Sequence, residues 1–279
     1  EQALGDKISS AYNRRQQVKV IITEKGLSAT QARNVGIRAA AGDVIAFTDD
    51  DAVADKYWIA HLLATYQSTN APAVGGKILP IWISGEPDHL PEELYWLVGV
   101  THLGFAEETV TEVRDAFGPN MSFGRNVFEV VGYFNEELGF AGQRTSYVQG
   151  EEPEFGLRIK SELGRGVIYD PEAIVYHKVP PSKLKLGTLV RRSFYQGYTK
   201  ALIKKLIPSN ESLDTEKTYL KVALKAMLRL AKNIFSGPKR FIEAKRFSVL
   251  LLCVGAVGFG FICGNCKLNV STYGRGNAV

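Results

Sequence analysis

The chain has 279 residues, 45% hydrophobic and 23% charged, enough to bury one sizeable core with room for a second small module. That composition excludes a largely disordered chain. The formal net charge of +5 is unevenly placed: Lys183 to Arg246 holds 16 Lys/Arg against 4 Asp/Glu, about +12, which leaves roughly −7 for the rest.

In chain order, "VKVIIT" (18–23) reads as a buried strand, "ATQARNVGIRAAA" (29–41) as an Ala-rich helix, and "DVIAF" (43–47) as the next strand. Three aspartates, Asp49, Asp50 and Asp51, follow that strand. "DKYWIAHLLATYQ" (55–67) is a second helix, "APAVGGKILP" (71–80) a strand broken by two glycines, and "GRGVIYDPEAIVYHKV" (164–179) a turn with short strands. This rhythm predicts an α/β domain with a mostly parallel sheet, in which ligands gather beyond the carboxyl ends of the strands. The aspartates would stand there. Closely spaced carboxylates suit Mg2+ or Mn2+, which bind through one or two protein carboxylates plus substrate phosphates. Alone, the triplet is a weak signal and fits an exposed acidic turn capping the helix from about Asp55 somewhat better than a metal site.

Past residue 180, "RRSFYQGYTK" (191–200) offers Arg191, Arg192 and Tyr195 to a phosphate, of a donor or of a lipid, or else is an exposed basic helix start. "YLKVALKAMLRLAKNIF" (219–235) sets Leu220, Leu224, Met227, Leu228 and Ile234 near one face, with Lys221, Lys225, Arg229 and Lys232 mostly away from it. That is the pattern of an interfacial helix. "FSVLLLCVGAVGFGFICG" (247–264) has no charged residue in 18, the short limit for a spanning helix, and basic residues precede it, as suits a cytoplasmic membrane face. The bland alternative is a buried helix pair with a solvated basic face. Cys253, Cys263 and Cys266 all lie in the last tenth, so no disulfide framework supports the main body and a reducing compartment is the simpler expectation. No charged-then-apolar leader opens the chain.

From "GLSATQARNVGIRAAAGDVIAFTDDDAV" (26–53) the chain closely resembles the family 2 glycosyltransferases, inverting enzymes of the GT-A fold. Three further segments match that family in order: "FGPNMSFGRNVFEVVGYFNEELG" (117–139), "QGEEPEFGLRIK" (149–160) and "YDPEAIVYHKV" (169–179). The resemblance covers about residues 18–200. It implies a Rossmann-like mixed sheet flanked by helices over 1–200, followed over 201–279 by basic amphipathic helices and a membrane segment at 247–264.

The resemblance also implies roles. Asp51, with Asp49 and His177, would hold Mg2+ or Mn2+ against the diphosphate of a nucleotide-sugar, by family habit a UDP-sugar. Arg33 and Asp50 would stand near the nucleotide. The base that takes a proton from the acceptor hydroxyl would be Glu152, where the family usually has Asp, with Glu151 beside it. Asn120 lies in the segment matching the acceptor side. "LPEELYWLVGVTHLGF" (90–105), with Trp96, resembles archaeal-type enzymes acting on dolichyl-phosphate-linked sugars, which implies a lipid-linked or membrane-proximal glycan acceptor and membrane lipids as partners. Taken alone, Tyr95 and Trp96 fit a packed core better than a sugar platform. His61, His89 and His102 read as structural.

The family's opening strands, ending in Pro-Thr-Tyr-Asn and Asp-Asp-Gly-Ser, have no counterpart here; "EQALGDKISSAYNRRQQ" (1–17) looks like the helix after them, so an exposed sheet edge is expected. A degenerate, non-catalytic membrane-associated module is the rival reading. No nucleic-acid partner is expected, because the apolar stretch after the basic block explains the charge more simply.

Overall fold

A computed structural model describes residues 18–23, 26–106, 108–138, 150–207 and 214–267. The helix expected over 1–17 lies outside them. The elements are α1 (Ala29–Ala39), β1 (Val44–Phe47), β2 (Ala52–Ala54), α2 (Trp58–Thr69), β3 (Ala73–Trp82), β4 (Thr111–Val113), β5 (Met121–Gly124), α3 (Arg125–Val130), α4 (Glu151–Leu163), β6 (Val167–Val179), α5 (Leu186–Leu206), α6 (Asp214–Ser236) and α7 (Arg240–Lys267). Short 3-10 helices at Glu92–Val98, Gly118–Asn120 and Pro181–Leu184 complete the set.

The strands form one sheet in the order β1-β5-β3-β6-β2, with β4 also on β6. The sheet is mixed, not mostly parallel: β3 and β6 pair in parallel, while β1–β5, β3–β5, β2–β6 and β4–β6 are antiparallel. The reason is β5, which inserts antiparallel between β1 and β3 and so separates two strands that run the same way. Residues 18–23 are a second correction. They form no strand, and Val18, Ile21 and Ile22 are exposed. Among the described residues nothing pairs with the outer edge of β1, so this apolar run has no ladder to join.

Local sequence explains the elements that frame the site. Ser28 caps α1: its hydroxyl accepts from the Gln31 N–H while the Gln31 side chain accepts from the Ser28 N–H, a reciprocal pair. Asn34 is buried and locks the other end of the motif, donating to the Phe134 carbonyl and accepting from its N–H. Gly75 and Gly76 lie inside a continuous β3 and do not break it; a Cβ at Gly76 would stand 1.9 Å from the Ala173 carbonyl oxygen, so the backbones touch there, and the register against β6 shifts between Gly76 and Ile78. Beneath β1 and β5, Phe123, Phe134 and Phe155 pack at centroid distances of 4.5 to 5.7 Å against α4. Burying each such ring contributes about 2–3 kcal/mol.

The C-terminal helices pack against the segment around Glu92–Val98. Position 200 falls inside the continuous helix α5, and Leu90, Leu94, Leu97 and Val98 share a core with Leu189, Ala226, Leu230, Val249, Leu250 and Cys253. Helices α5 and α7 lie backbone to backbone: a Cβ at Gly197 would stand 1.9 Å from the Val257 carbonyl oxygen, and one at Gly260 1.9 Å from that of Phe194. The expected single apolar face of α6 is split. Ala223, Ala226 and Leu230 face the core, while Leu220, Leu224, Leu228 and Phe235 are exposed. Over Arg240–Cys266, α7 is long and apolar enough to cross a membrane, with a mean hydropathy of 2.3 in its most apolar 18 residues.

Candidate active site

The end of β1 and the register of β2 against β6 build the first half of the site. Ala52 pairs with His177, and the Lys178 N–H donates to the Asp51 carbonyl, so the backbone ladder sets Asp51 beside His177. Asp51 Oδ1 lies 3.1 Å from His177 Nε2. Ligand atoms of Asp49, Asp51 and His177 all fall within 4.8 Å of one another. The His177 ring is buried against Gly99, whose Cβ, if present, would stand 2.9 Å from Cε1; Gly99 also adopts φ +77°, which glycine tolerates. Asp50, between the two ligand candidates, is exposed in the turn.

Burial and neighbouring charges push the three groups in different directions. Burial raises the Asp49 carboxyl, against the pull of Arg33. Burial acts the same way on Asp51, but the Lys183 hydrogen bond and the Lys183 charge oppose it, and Asp51 is held below the ordinary carboxylate range. Burial, then Lys183, lowers His177 and favours a neutral imidazole. Two carboxylates and a neutral imidazole make a donor set that fits a divalent cation of the Mn2+ type.

Helix α4 supplies the second half. Glu151 and Glu152 occupy its first turn, where the helix dipole favours anions. Arg33, reaching from α1, bridges them: its Nη1 lies 3.1 Å from Glu151 Oε1 and 3.3 Å from Glu152 Oε1. Burial would lower the Arg33 pKa, but Glu152, Glu151 and Asp49 raise it. The two carboxylates differ. Glu151 is 5% exposed and also accepts from the Gly150 N–H, so it is spent on holding the helix start. The Glu152 side chain is 23% exposed, and burial together with the Glu151 charge pushes its carboxyl up to about 8. Gly118 leaves the space in front of this pair, since a Cβ there would stand 2.4 Å from Arg33 Nη2 and 2.7 Å from Glu152 Oε1. Coulombic coupling of Asp49 to both Arg33 and Glu152 makes the two halves one electrostatic unit.

Several predicted residues stand elsewhere. Asn120 is fully buried, accepts from the Trp58 indole and donates to the Lys77 and Ala173 carbonyls, so its amide braces β3 against β6. Trp96 is part-buried, with its N–H donated to the Tyr219 hydroxyl of α6 at 3.0 Å. Arg192 donates to the Leu97 carbonyl. Arg191 is exposed on α5, and Tyr195 sits edge-on to Phe194. His61 meets the Tyr57 ring, His89 contacts the Leu184 carbonyl, and burial pulls His102 down to about 4.

Two features escaped the sequence reading. Lys183 contacts Asp51 and His177. Arg114, Asp115, Lys200 and Glu216 form a second buried charge group that joins the strand region to α5 and α6. Neither lies in a recognisable motif; Lys183 sat within the "PPSKLK" turn, whose basic residues signal only charge.

Residues 3–132 match the family described as glycosyl transferase family 2. A curated relative, the glucosyl-dolichyl phosphate glucuronosyltransferase of Haloferax volcanii, is 34% identical over 261 residues, 93% of this chain and 82% of that protein. Among solved structures, the mannosyltransferase PcManGT of Pyrobaculum calidifontis, solved with GDP-Man and Mn2+, aligns with 94% of this chain and 73% of its own at 13% identity and a TM-score of 0.51. GalNAc-T7, solved with UDP, GalNAc and Mn2+, aligns with 79% of this chain and 46% of its own at 17% identity and a TM-score of 0.49. The mixed sheet with flanking helices is thus the GT-A fold, and the chain belongs to glycosyl transferase family 2.

Proposed function

We propose that this protein transfers a sugar, with inversion, from a UDP-sugar to a hydroxyl of a dolichyl-phosphate-linked glycan at a membrane surface. The observation that carries the reading is the convergence of Asp49, Asp51 and His177 with Arg33 and the Glu151–Glu152 pair across the end of one sheet. The Haloferax relative acts, by its name, on a glucosyl-dolichyl phosphate and transfers glucuronate, so UDP-glucuronate is the first donor to test.

The residues divide the work by chemistry. Asp49, Asp51 and His177 would hold Mn2+, which when bound neutralises the diphosphate leaving group as a Lewis acid. Glu152 accepts the proton of the acceptor hydroxyl as that oxygen bonds to the anomeric carbon and the bond to the diphosphate breaks. Arg33, itself anchored by Glu151, holds Glu152 in place and is assigned to the nucleotide.

Helices α6 and α7 suit a membrane surface. Leu220, Leu224, Leu228 and Phe235 are exposed along α6, and Phe241, Leu251, Leu252, Phe259 and Ile262 along α7. Because α7 is fastened along α5, which carries Arg191, Arg192, Lys200, Lys204 and Lys205, inserting α7 across a bilayer would drag those cations into hydrocarbon. An in-plane position with the basic residues at anionic headgroups avoids that cost. The cytoplasmic side is part of the proposal and accords with the three free cysteines.

Calorimetric titration with UDP, with and without Mn2+, tests the donor site. Wild type is expected to bind UDP in a Mn2+-dependent way that Asp51→Ala loses. Equal UDP binding by the two folded proteins would refute the assignment.

A further inference from the structure

Lys183 sets its ammonium against two of the three residues of the candidate metal group, Asp51 and His177. Nζ lies 3.1 Å from Asp51 Oδ2 and 3.3 Å from His177 Nε2. Its aim is built in. The 3-10 turn Pro181–Leu184 leaves β6 directly after Val179, two prolines restrict its backbone, the Lys183 N–H donates to the Pro180 carbonyl, and His89 contacts the Leu184 carbonyl at 3.0 Å. The side chain is 22% exposed, so water screens the contact only in part.

This contact competes with a metal. His177 Nε2 lies within reach of both Asp51 Oδ1 and the Lys183 ammonium, and its one lone pair ligates a cation only once the nitrogen is unprotonated and released from both. Asp51 likewise loses its best-placed countercharge when a divalent ion takes its oxygens. Any ion ligated by Asp51 and His177 must therefore displace Lys183, which stays tethered within a side chain's reach. There the ammonium repels the ion that replaced it, unless an anion lies between them. A nucleoside diphosphate is such an anion, and phosphate oxygens accept from a lysine as from a point charge.

We infer that Lys183 is a displaceable internal counter-ion that makes metal binding conditional on the nucleoside diphosphate. With neither ligand present it neutralises Asp51; with both present it moves to the diphosphate oxygens. The inference rests on the metal site proposed above and gives that site an order of assembly: the metal alone binds weakly, and the diphosphate tightens it by linkage.

The test is calorimetric titration of the full chain with Mn2+ alone, and again with UDP at saturation, for wild type, Lys183→Gln and Lys183→Arg. The expected result is that Lys183→Gln binds Mn2+ alone roughly threefold or more tightly than wild type, the scale of a partly exposed ion pair. The factor by which UDP tightens Mn2+ should shrink correspondingly, while Lys183→Arg, which keeps the charge, stays close to wild type. Lys183→Met, which retains the aliphatic stem, repeats the reading if the glutamine disturbs the turn. Unchanged or weaker Mn2+ binding by the two neutral variants would overturn the inference while leaving the metal site standing. Failure of Mn2+ to bind wild type or any variant would overturn the metal site itself.

Discussion

Two groups of buried charge lie near one another, with Asp115 of the second acting on Glu152 of the first, and they are built differently. At the candidate site one guanidinium, Arg33, faces Asp49, Glu151 and Glu152. In the second group Arg114 and Lys200 face Asp115 and Glu216, two against two. The balanced group holds its carboxylate firmly ionised: burial opposes it, but Lys200 and Arg114 pull Glu216 down to about 2. The unbalanced group leaves Glu152 pushed up to about 8. A charge group that only holds helices together can satisfy itself, whereas one that awaits a cation and a proton carries the deficit its ligands make good.

The largest effect should come from breaking the balanced group. Glu216→Ala leaves Arg114 and Lys200 without their shared partner and is expected to cost about 3–5 kcal/mol, read as a loss of thermal stability and a loosened α6. Its pH dependence has a definite sign. The folded-state pKa of Glu216 is depressed, so its contribution is present above the unfolded value near 4.5 and fades as pH falls toward about 2. Glu152→Gln should lower stability far less, because Arg33 keeps Glu151. A similar loss in both variants would erase the distinction between the groups.

A smaller effect concerns apolar surface. Leu224 and Leu228 are 58% and 67% exposed, so the double change Leu224→Glu, Leu228→Glu should leave folding intact. If each leucine buries about half its surface in lipid, roughly 1 kcal/mol apiece, binding to anionic vesicles should fall about thirtyfold by flotation. Unchanged flotation would return α6 to the role of a solvated helix.

The smallest effect is on the pH profile. Glu152 must be unprotonated to act as a base, so kcat/KM should climb with pH through neutrality and level above about 8. A flat profile between pH 6 and 9 would remove Glu152 from the proton transfer.

How far the sequence could be read follows from which interactions are local. The helix read over 29–41, the strand read over 43–47 and the Asp triplet that follows it are set within a few residues, and each stands close to where the pattern placed it. What escaped depends on pairing across the chain. Nothing local tells that β5 would separate β1 from β3, or that "VKVIIT" would find no partner strand. Asn120 sits in a segment resembling an acceptor motif, yet three partners 43 to 62 residues away consume its amide. Lys183 looked like one basic residue among many until β2 paired with β6 and brought Asp51 to it. On α6 the helical period was legible but its orientation was not: Ala223, Ala226 and Leu230 take the core side, while Leu220, Leu224 and Leu228 face out.

The most direct test of the central claim is transfer of labelled glucuronate from UDP-glucuronate to a glucosyl-dolichyl phosphate in anionic vesicles with Mn2+, comparing wild type with Glu152→Gln. The account predicts that Glu152→Gln binds UDP and Mn2+ as wild type does but transfers about 10²- to 10⁴-fold more slowly, the usual contribution of a general base. Transfer at an undiminished rate by Glu152→Gln would contradict it.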